Sequence, residues 1–360
     1  MLGLVKNSTR PTWVMTMSGQ DGRFVRNAWY VVAWSCELGR SLVSRRILGE
    51  PVVMFRKEDG TPVAFVDRCP HKLAPLSRGE LIGDVIQCGY HGMQYDSTGK
   101  CVRVPGQPPI PPAARLRTFA LAEKYNAVWL WAGDPATADQ KRIIDIPQYG
   151  RPGWSLVDGQ YLHFATNYLN LTDNLVDPAH TSYVHKRTIG NSGGEDAPVR
   201  VEHGEGHIVA YRWVTNAEPV PIMKTYGSFK GNIDRWQYYH LYLPSNSYVD
   251  FGAVDTGGEL TEKAKAGGFR SFTYNFLTPE TSGSTHYFWL HLRNYGVGIA
   301  QVDADIARVY RQTFEEDREL LAAIQEQQEA TGVREYVKLS IDHAPSRARL
   351  MIQRLIDAEA

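Results

Sequence analysis

Four residues in two short segments carry the most specific chemistry in the sequence. Cys69-Pro70-His71 and Cys88-Gly89-Tyr90-His91 form C-x-H and C-x-x-H, with sixteen residues between His71 and Cys88. Two thiolates and two imidazoles could bind zinc or an iron–sulfur cluster. The usual zinc-finger order puts both cysteines first and both histidines later, on a helix. Here each cysteine has its own histidine, in one of two similarly built loops. That arrangement suits a two-iron, two-sulfide cluster, with Cys69 and Cys88 on one iron and His71 and His91 on the other. Neutral imidazoles in place of two thiolates leave such a cluster less negative and easier to reduce. Gly89 and Gly92 allow tight turns and bring backbone amides near the sulfides. Two core cysteines with two unrelated histidines would be the plainer reading, but the paired loops argue against it. Cys36 and Cys101 fall outside the pattern and are expected to be small buried residues.

A second constellation lies in NLTDNLVDPAHTSYVH, residues 170–185, where Asn174, Asp177, His180 and His185 stand at N-x2-D-x2-H-x4-H. On a helix Asp177 and His180 would share a face one turn apart. His180 and His185 are five apart, so a break between them is expected to let both imidazoles converge on one ion. Two histidines and one carboxylate on a single face of iron leave the opposite face open to O2. The carboxylate must come from elsewhere. Asp317 in TFEEDRELL is the candidate, with Glu315 and Glu316 as neighbours that periodicity alone does not exclude. Asp177 need not be a ligand, because its carboxylate could hold the second ring nitrogen of His180 and fix the tautomer. Asn174 is expected to be a polar neighbour of the iron.

The elements that must position these residues fall into two parts. Short runs such as PVVMF, TPVAFV, VIQCGY and AVWLWAG have the texture of a small β domain. GQPPIPPAA reads as an extended excursion. Beyond it, GHIVAYRWV, WQYYHLYLP, FRSFTYNFLTPE and STHYFWLHLRNYG read as long strands of a second sheet, followed by helices over about 303–328 and 345–358. The expected division is an N-terminal extension at 1–23, a cluster domain at 24–135 and a catalytic domain at 136–360. Tyr238, Tyr242, Tyr274, Asn275 and Trp289 are candidate walls of a substrate pocket, each equally able to be sheet core where aromatic. Tyr238 and Tyr242 would share one strand face, with Tyr239 on the other.

Composition excludes several classes. Lysine plus arginine equals aspartate plus glutamate at 39 each, with no basic stripe of the kind nucleic-acid binders show. No apolar run is long enough to cross a bilayer, and no signal peptide is seen. Four cysteines in 360 residues are no disulfide scaffold, so a reducing, cytoplasmic setting is expected.

CPHKLAPLSRG with CGYHGMQYDSTGKCV resembles the Rieske domain of aromatic-ring and demethylating oxygenases, and NLVDPAHTSYVH resembles their mononuclear iron motif. FVRNAWYVVAW, LTPET and RNYG are similar to the alpha subunits of the vanillate O-demethylase and dicamba monooxygenase branch. The resemblance implies an α+β chain: an all-β Rieske 2Fe-2S domain followed by a helix-grip domain holding mononuclear Fe(II). It assigns Cys69, His71, Cys88 and His91 to the cluster, and His180, His185 and Asp317 to the iron. It gives Asp177 the role of bridging the cluster of one subunit to the iron of the next, in a head-to-tail homotrimer. The implied activity is O2-dependent O-demethylation or hydroxylation of a small aromatic acid. Electrons would come from an NAD(P)H-dependent reductase, directly or through a ferredoxin. Ring or methyl hydroxylation without demethylation, a non-catalytic electron carrier and a zinc-stapled interaction protein are the alternatives. Two departures stand out. Gly89 replaces a common proline and should loosen its loop, and Asn275 stands where the dicamba enzyme has a pocket histidine.

Overall fold

The strand Ser284–Arg293 explains the architecture, because nearly every residue in STHYFWLHLR is buried. Successive side chains point to opposite faces of a sheet, so both faces must be covered. In the computed structural model, which describes residues 14–16, 22–186, 188–190, 194–259, 261–332 and 335–360, they are. Phe288, Leu290 and Leu292 pack with Trp29, Val31, Trp34, Trp129 and Trp131 of the N-terminal domain. Tyr287 and Trp289 pack on the other face with Tyr310 and Phe314 of a long helix.

This strand belongs to a seven-stranded antiparallel sheet. The order is Ser155–Phe164, Ser284–Arg293, Phe269–Thr281, Asn246–Asp255, Ile233–Tyr242, His207–Ala217 and Arg200–Gly204. Among the described residues six helices accompany it: α1 (Tyr168–Asn174), α2 (Thr181–Val184), α3 (Pro221–Tyr226), α4 (Glu262–Gly267), α5 (Ala300–Thr331) and α6 (His343–Ala358). Helix α5 buries Val302, Ile306, Tyr310, Thr313, Phe314, Asp317 and Leu321, a stripe at helical spacing that lies against the sheet. A sheet gripping one long helix is the helix-grip arrangement. The expected helices are present, each beginning two or three residues earlier than read from sequence.

Three strands of this large sheet escape the sequence reading. In Ser155–Phe164 the alternation is broken by an irregularity between Val157 and Gln160, with Gly159 at φ +70°. Asn246–Asp255 contains Asn, Asp and Gly, all poor strand formers. They are explained by neighbours: Arg270 and Lys265 pair with Asp250, and a Cβ on Gly252 would lie 2.2 Å from the Trp236 ring. The edge strand Arg200–Gly204 is mostly exposed and carries no apolar alternation.

The N-terminal domain is all β, with two three-stranded sheets and a four-stranded sheet, Glu80–Ile82, Val85–Gln87, Gln94–Tyr95 and Cys101–Arg103. The residue 106–114 excursion forms no regular element. The domain is stitched to the large sheet by Leu48 and Gly49 amides donating to Pro279 and Glu280 carbonyls at 2.7 and 2.9 Å, and by Thr278 Oγ1 donating to Val31 O at 2.6 Å. Within the expected N-terminal extension, Val14–Thr16 pairs antiparallel with Glu335–Val337; residues 1–13 and 17–21 lie outside the described residues. Contrary to expectation, Cys36 is exposed, while Cys101 is buried; Cys36 sits in a short 3-10 turn, Ser35–Glu37, at the end of a buried strand. Among the described residues no helix is long and apolar enough to cross a membrane.

Trp129 lies in the core shared by the two domains, against Phe276 at 5.1 Å between ring centroids. Trp129→Ala should therefore lower stability by about 3–5 kcal/mol. In a denaturant titration, cluster absorbance and far-UV dichroism should shift together, because the lost contacts belong to both domains.

Candidate metal centres and oxygenation site

The two cysteine loops are built alike. Cys69 N donates to Ala74 O and Cys69 O accepts from Leu73 N; Cys88 N donates to Met93 O and Cys88 O accepts from Gly92 N, all between 2.8 and 3.0 Å. Each loop turns through a left-handed residue four positions after its cysteine, Leu73 at φ +59° and Gly92 at φ +69°. Asp67 pins the base of the first loop by accepting from Ser77 N, Ser77 Oγ and Ser44 Oγ. The equal construction leaves both thiols buried and both imidazoles exposed, with the His71 and His91 rings 4.6 Å apart. Burial raises the Cys88 thiol above its ordinary value, opposed by the Tyr90 amide. That environment is met when the sulfurs are metal-bound thiolates.

Gly89 stands at a close approach of two chain segments. Its φ is not left-handed, but a Cβ there would lie 2.8 Å from Arg78 O, so the second loop approaches residues 78–79 too closely for a side chain. Tyr95 was not singled out by sequence. It is fully buried, and its hydroxyl lies 3.4 Å from Cys69 Sγ. Hydrogen bonds to cluster sulfurs are one determinant of reduction potential.

The second centre forms where α1, the α2 turn and α5 meet. Helix α1 ends at Asn174, residues 175–179 are irregular, and His180 and His185 cap the two ends of α2. The break therefore precedes His180 and does not separate the two histidines as expected. Asp317 comes from the buried stripe of α5. The donor atoms of His180, His185 and Asp317 all lie within 4.8 Å of one another: Nε2 to Nε2 is 3.2 Å, His185 Nε2 to Asp317 Oδ2 is 3.3 Å, and His180 Nε2 to Asp317 Oδ1 is 3.9 Å. Ligands about 2.1 Å from one ion and at right angles stand about 3 Å apart. The set fits a two-histidine, one-carboxylate iron site.

Each ligand is held from behind. Glu316 Oε2 meets His185 Nδ1 at 2.9 Å and also accepts from Thr188 Oγ1 at 2.9 Å. His180 Nδ1 lies 2.5 Å from the backbone oxygen of Asp177. The Asp177 carboxylate is 4.0 Å from that nitrogen and instead accepts from Ala179 N, so main chain holds the tautomer where the side chain was expected to. Asn174 Nδ2 donates to Asp317 Oδ1 at 2.9 Å. Glu316 is thus a supporting residue that sequence left as a competitor.

Burial pushes His180 below the ordinary histidine range, against Asp317. Burial also pulls on His185, but the hydrogen bonds and charges of Asp317 and Glu316 outweigh it and raise that group. A field that favours a proton on His185 Nε2 favours a cation at the same point.

Beside the triad lies a narrow cavity, whose empty space of about 580 Å³ includes its open mouth. Its walls are mostly apolar: Leu175, Ile189, Val249, Phe251, Tyr310 and Phe314. Asn275 lines it, but Tyr242 does not. Along Ile233–Tyr242 the odd residues Gln237 and Tyr239 face the cavity, while Tyr238 and Tyr242 share the opposite, half-exposed face. Trp289 lies one layer back, 5.2 Å behind Phe314 between ring centroids.

Family models match at both centres: the Rieske 2Fe-2S domain over residues 28–120, and the vanillate O-demethylase oxygenase C-terminal domain over residues 164–358. The chain belongs to the Rieske non-haem iron oxygenases, in the vanillate and dicamba demethylase branch. It is 34% identical to the dicamba O-demethylase oxygenase component of Stenotrophomonas maltophilia, covering 94% of this chain and 99% of that one. Identity is 33% to the toluene-4-sulfonate monooxygenase iron–sulfur subunit of Comamonas testosteroni, over 93% and 98%. A crystal structure of dicamba monooxygenase bound to 3,6-dichlorosalicylic acid superposes with a TM-score of 0.85 at 33% identity, covering 94% and 99%. This Rieske oxygenase is therefore an iron oxidoreductase with a 2Fe-2S domain and a mononuclear site at His180, His185 and Asp317.

Asp317→Ala should abolish mononuclear iron while leaving the cluster's visible spectrum intact. Glu316→Gln should keep the ion but weaken its hold about 10- to 100-fold. Chelator competition, with iron and acid-labile sulfide assayed separately, measures both.

Proposed function

We propose that this Rieske oxygenase is the terminal component of a multicomponent monooxygenase that O-demethylates, or hydroxylates, a small aromatic acid. The observation that carries the reading is the cavity: Tyr239 and Phe251 on the sheet side, Tyr310 and Phe314 on the helix side, and the triad at its wall. A planar ring suits such a space, with aromatic faces on both sides. The overall change is R–OCH3 + O2 + 2 e− + 2 H+ → R–OH + HCHO + H2O, or R–H + O2 + 2 e− + 2 H+ → R–OH + H2O. Both outcomes are kept because the relatives include a dicamba O-demethylase and a toluene-4-sulfonate monooxygenase.

When bound, the cluster supplies electrons singly and the ferrous ion activates O2. The protein's own groups do the rest. Cys69, His71, Cys88 and His91 hold the cluster. His180, His185 and Asp317 would hold the iron through three protein donors, few enough to leave it open to O2. Asn174 orients the Asp317 carboxylate, and Tyr310 and Phe314 keep water from the reacting carbon.

Asp177 links the centres between subunits of a head-to-tail homotrimer. Two surfaces support this. Around the exposed His71 and His91, Leu73 and Tyr90 are 66% and 65% exposed. Beside Asp177 runs a broad groove bordered by the exposed Leu320 and Ile324 of α5. Apolar residues on a cluster-bearing tip suit an apolar groove next to an iron ligand. An NAD(P)H-dependent reductase, directly or through a ferredoxin, supplies electrons, in a cytoplasm reducing enough to keep Cys69 and Cys88 available to iron.

Asp177→Asn should retain both metals and substrate affinity yet reduce steady-state turnover at least 100-fold, with stopped-flow spectra showing a cluster that no longer reoxidises on mixing with O2. Full turnover in that variant would remove Asp177 from the link. The reaction itself is tested by single turnover of the chemically reduced holoenzyme with methoxylated, methylated and unsubstituted aromatic acids. Formaldehyde with a phenol marks demethylation, and hydroxylated product without formaldehyde marks the second outcome.

A further inference from the structure

Most hydrogen-bond donors lining the cavity are already engaged inside the protein. Asn174 donates to Asp317. Thr181 and Tyr239 hydroxyls pair at 2.9 Å, Thr273 Oγ1 pairs with His291 Nδ1 at 2.9 Å, and Thr313 donates to Val309 O. Asn275 is also engaged: its oxygen accepts from Tyr287 Oη at 2.9 Å and its amide faces Ser247 Oγ and Thr273 O. An apolar slot with its polar groups turned inward cannot by itself distinguish an acid from its neutral analogue.

Gln237 differs. It is only 2% exposed and lines the cavity. Arg212, directly opposite on the neighbouring strand, donates its Nε–H to Gln237 Oε1 at 2.7 Å. Because guanidinium has only donors, the contact fixes which end of the amide is oxygen. The NH2 end is left without an acceptor among the described residues. Arg212 is itself held by its NH1 donating to Gly194 O at 2.6 Å, so the amide is backed by a fixed cation. A second buried guanidinium, Arg235, lies two residues from Gln237 on the same strand face. Burial, and then the charge of Arg212, push Arg235 down to about 10. Asp177 and Glu195 offset part of the charge on Arg212.

We propose that Gln237, polarised and oriented by Arg212, reads the acidic group of the substrate: a carboxylate or sulfonate oxygen accepts from Gln237 Nε2, on the flank of the cavity where Arg212 and Arg235 supply positive charge. This rests on the preceding reading that the substrate is a small aromatic acid. A donor built to meet an oxyanion discriminates against analogues that leave it unpaired. Gln237 stands two residues from Tyr239 on the same face, about 7 Å along the strand, and Tyr239 touches Thr181 beside the ligand His180. The acid-reading residue is thus separate from the iron ligands, and it can change without disturbing them.

The test uses the anaerobic, reduced holoenzyme and measures dissociation constants by calorimetry. The probes are substituted benzoates and benzenesulfonates, each paired with its neutral carboxamide or sulfonamide. Gln237→Leu should weaken the acids about 10- to 100-fold while moving the neutral partners less than about twofold. Arg212 is left intact because its charge also acts at Asp177. Gln237→Glu, which gives Arg212 a carboxylate to pair with and so preserves the fold, should weaken the acids further and spare the neutral partners. Equal losses for acids and neutral partners, or no loss for either, would overturn the role of Gln237 while leaving the aromatic-acid reading standing. If the parent enzyme binds neither series, that reading falls and this proposal falls with it.

Discussion

Asp317 is a carboxylate at 4% exposure in the apolar stripe of a helix, and the catalytic domain is arranged around that fact. Removing an ionised carboxylate from water costs several kcal/mol unless opposite charge and hydrogen bonds meet it. Here Asn174 supplies a hydrogen bond and His180 and His185 supply two nitrogens. The three donor groups share a point that a divalent cation satisfies completely. Phe314 and Leu321 bracket Asp317 on the buried face of α5, so the helix cannot turn to expose the carboxylate without exposing them as well. The iron site and the packing of the long helix are therefore one constraint.

That constraint needs a rigid platform, which the two-faced sheet provides. Phe269–Thr281 gives Phe272, Tyr274 and Phe276 to the N-terminal domain and Thr273 and Asn275 to the cavity. A change in the cluster domain's core is thus felt one residue away in a cavity wall. The α6 helix closes the arrangement from the other side. Arg349 meets the Asp173 carboxylate through Nε and NH2, within 3.0 Å, fixing α1 next to Asn174. Glu359 accepts from the Arg26 and Asn27 amides at 2.6 and 2.9 Å, tying the chain's end to the cluster domain.

The ligand types were legible in sequence because iron chemistry restricts them to Cys, His and carboxylate at spacings that loops and short helices can serve. Choosing among Glu315, Glu316 and Asp317 was not possible, and Leu320-Leu321 shows why. A helical stripe through Leu320 would place Glu316 inward; one through Leu321 places Asp317 there. Only packing against the sheet decides, leaving Leu320 outside and Leu321 within. The pocket wall was misread for a related reason. Every residue of YYHLY suits a strand, and period-2 alternation groups Tyr238 with Tyr242 correctly without saying which face meets the cavity. The strand Asn246–Asp255 was hidden because its Asp250 and Gly252 are explained by Arg270 and Trp236, partners brought together by the fold.

Asp177 shows how a single residue can serve two surfaces. Its carbonyl oxygen orients the ring of His180, while its carboxylate takes the Ala179 amide and borders the groove. Burial lifts that carboxyl above its ordinary value, against the pull of His180. Had the carboxylate held the ring directly, any displacement of that side chain would have rotated an iron ligand. With main chain holding the ring, the side chain can respond to what lies in the groove while the ligand geometry stays fixed. The irregular residues 175–179 between α1 and α2 make this possible: a continuous helix would have committed the Asp177 carbonyl to the amide of residue 181. The loss of helix here, which regular spacing had concealed, leaves the backbone oxygen free to hold a metal ligand.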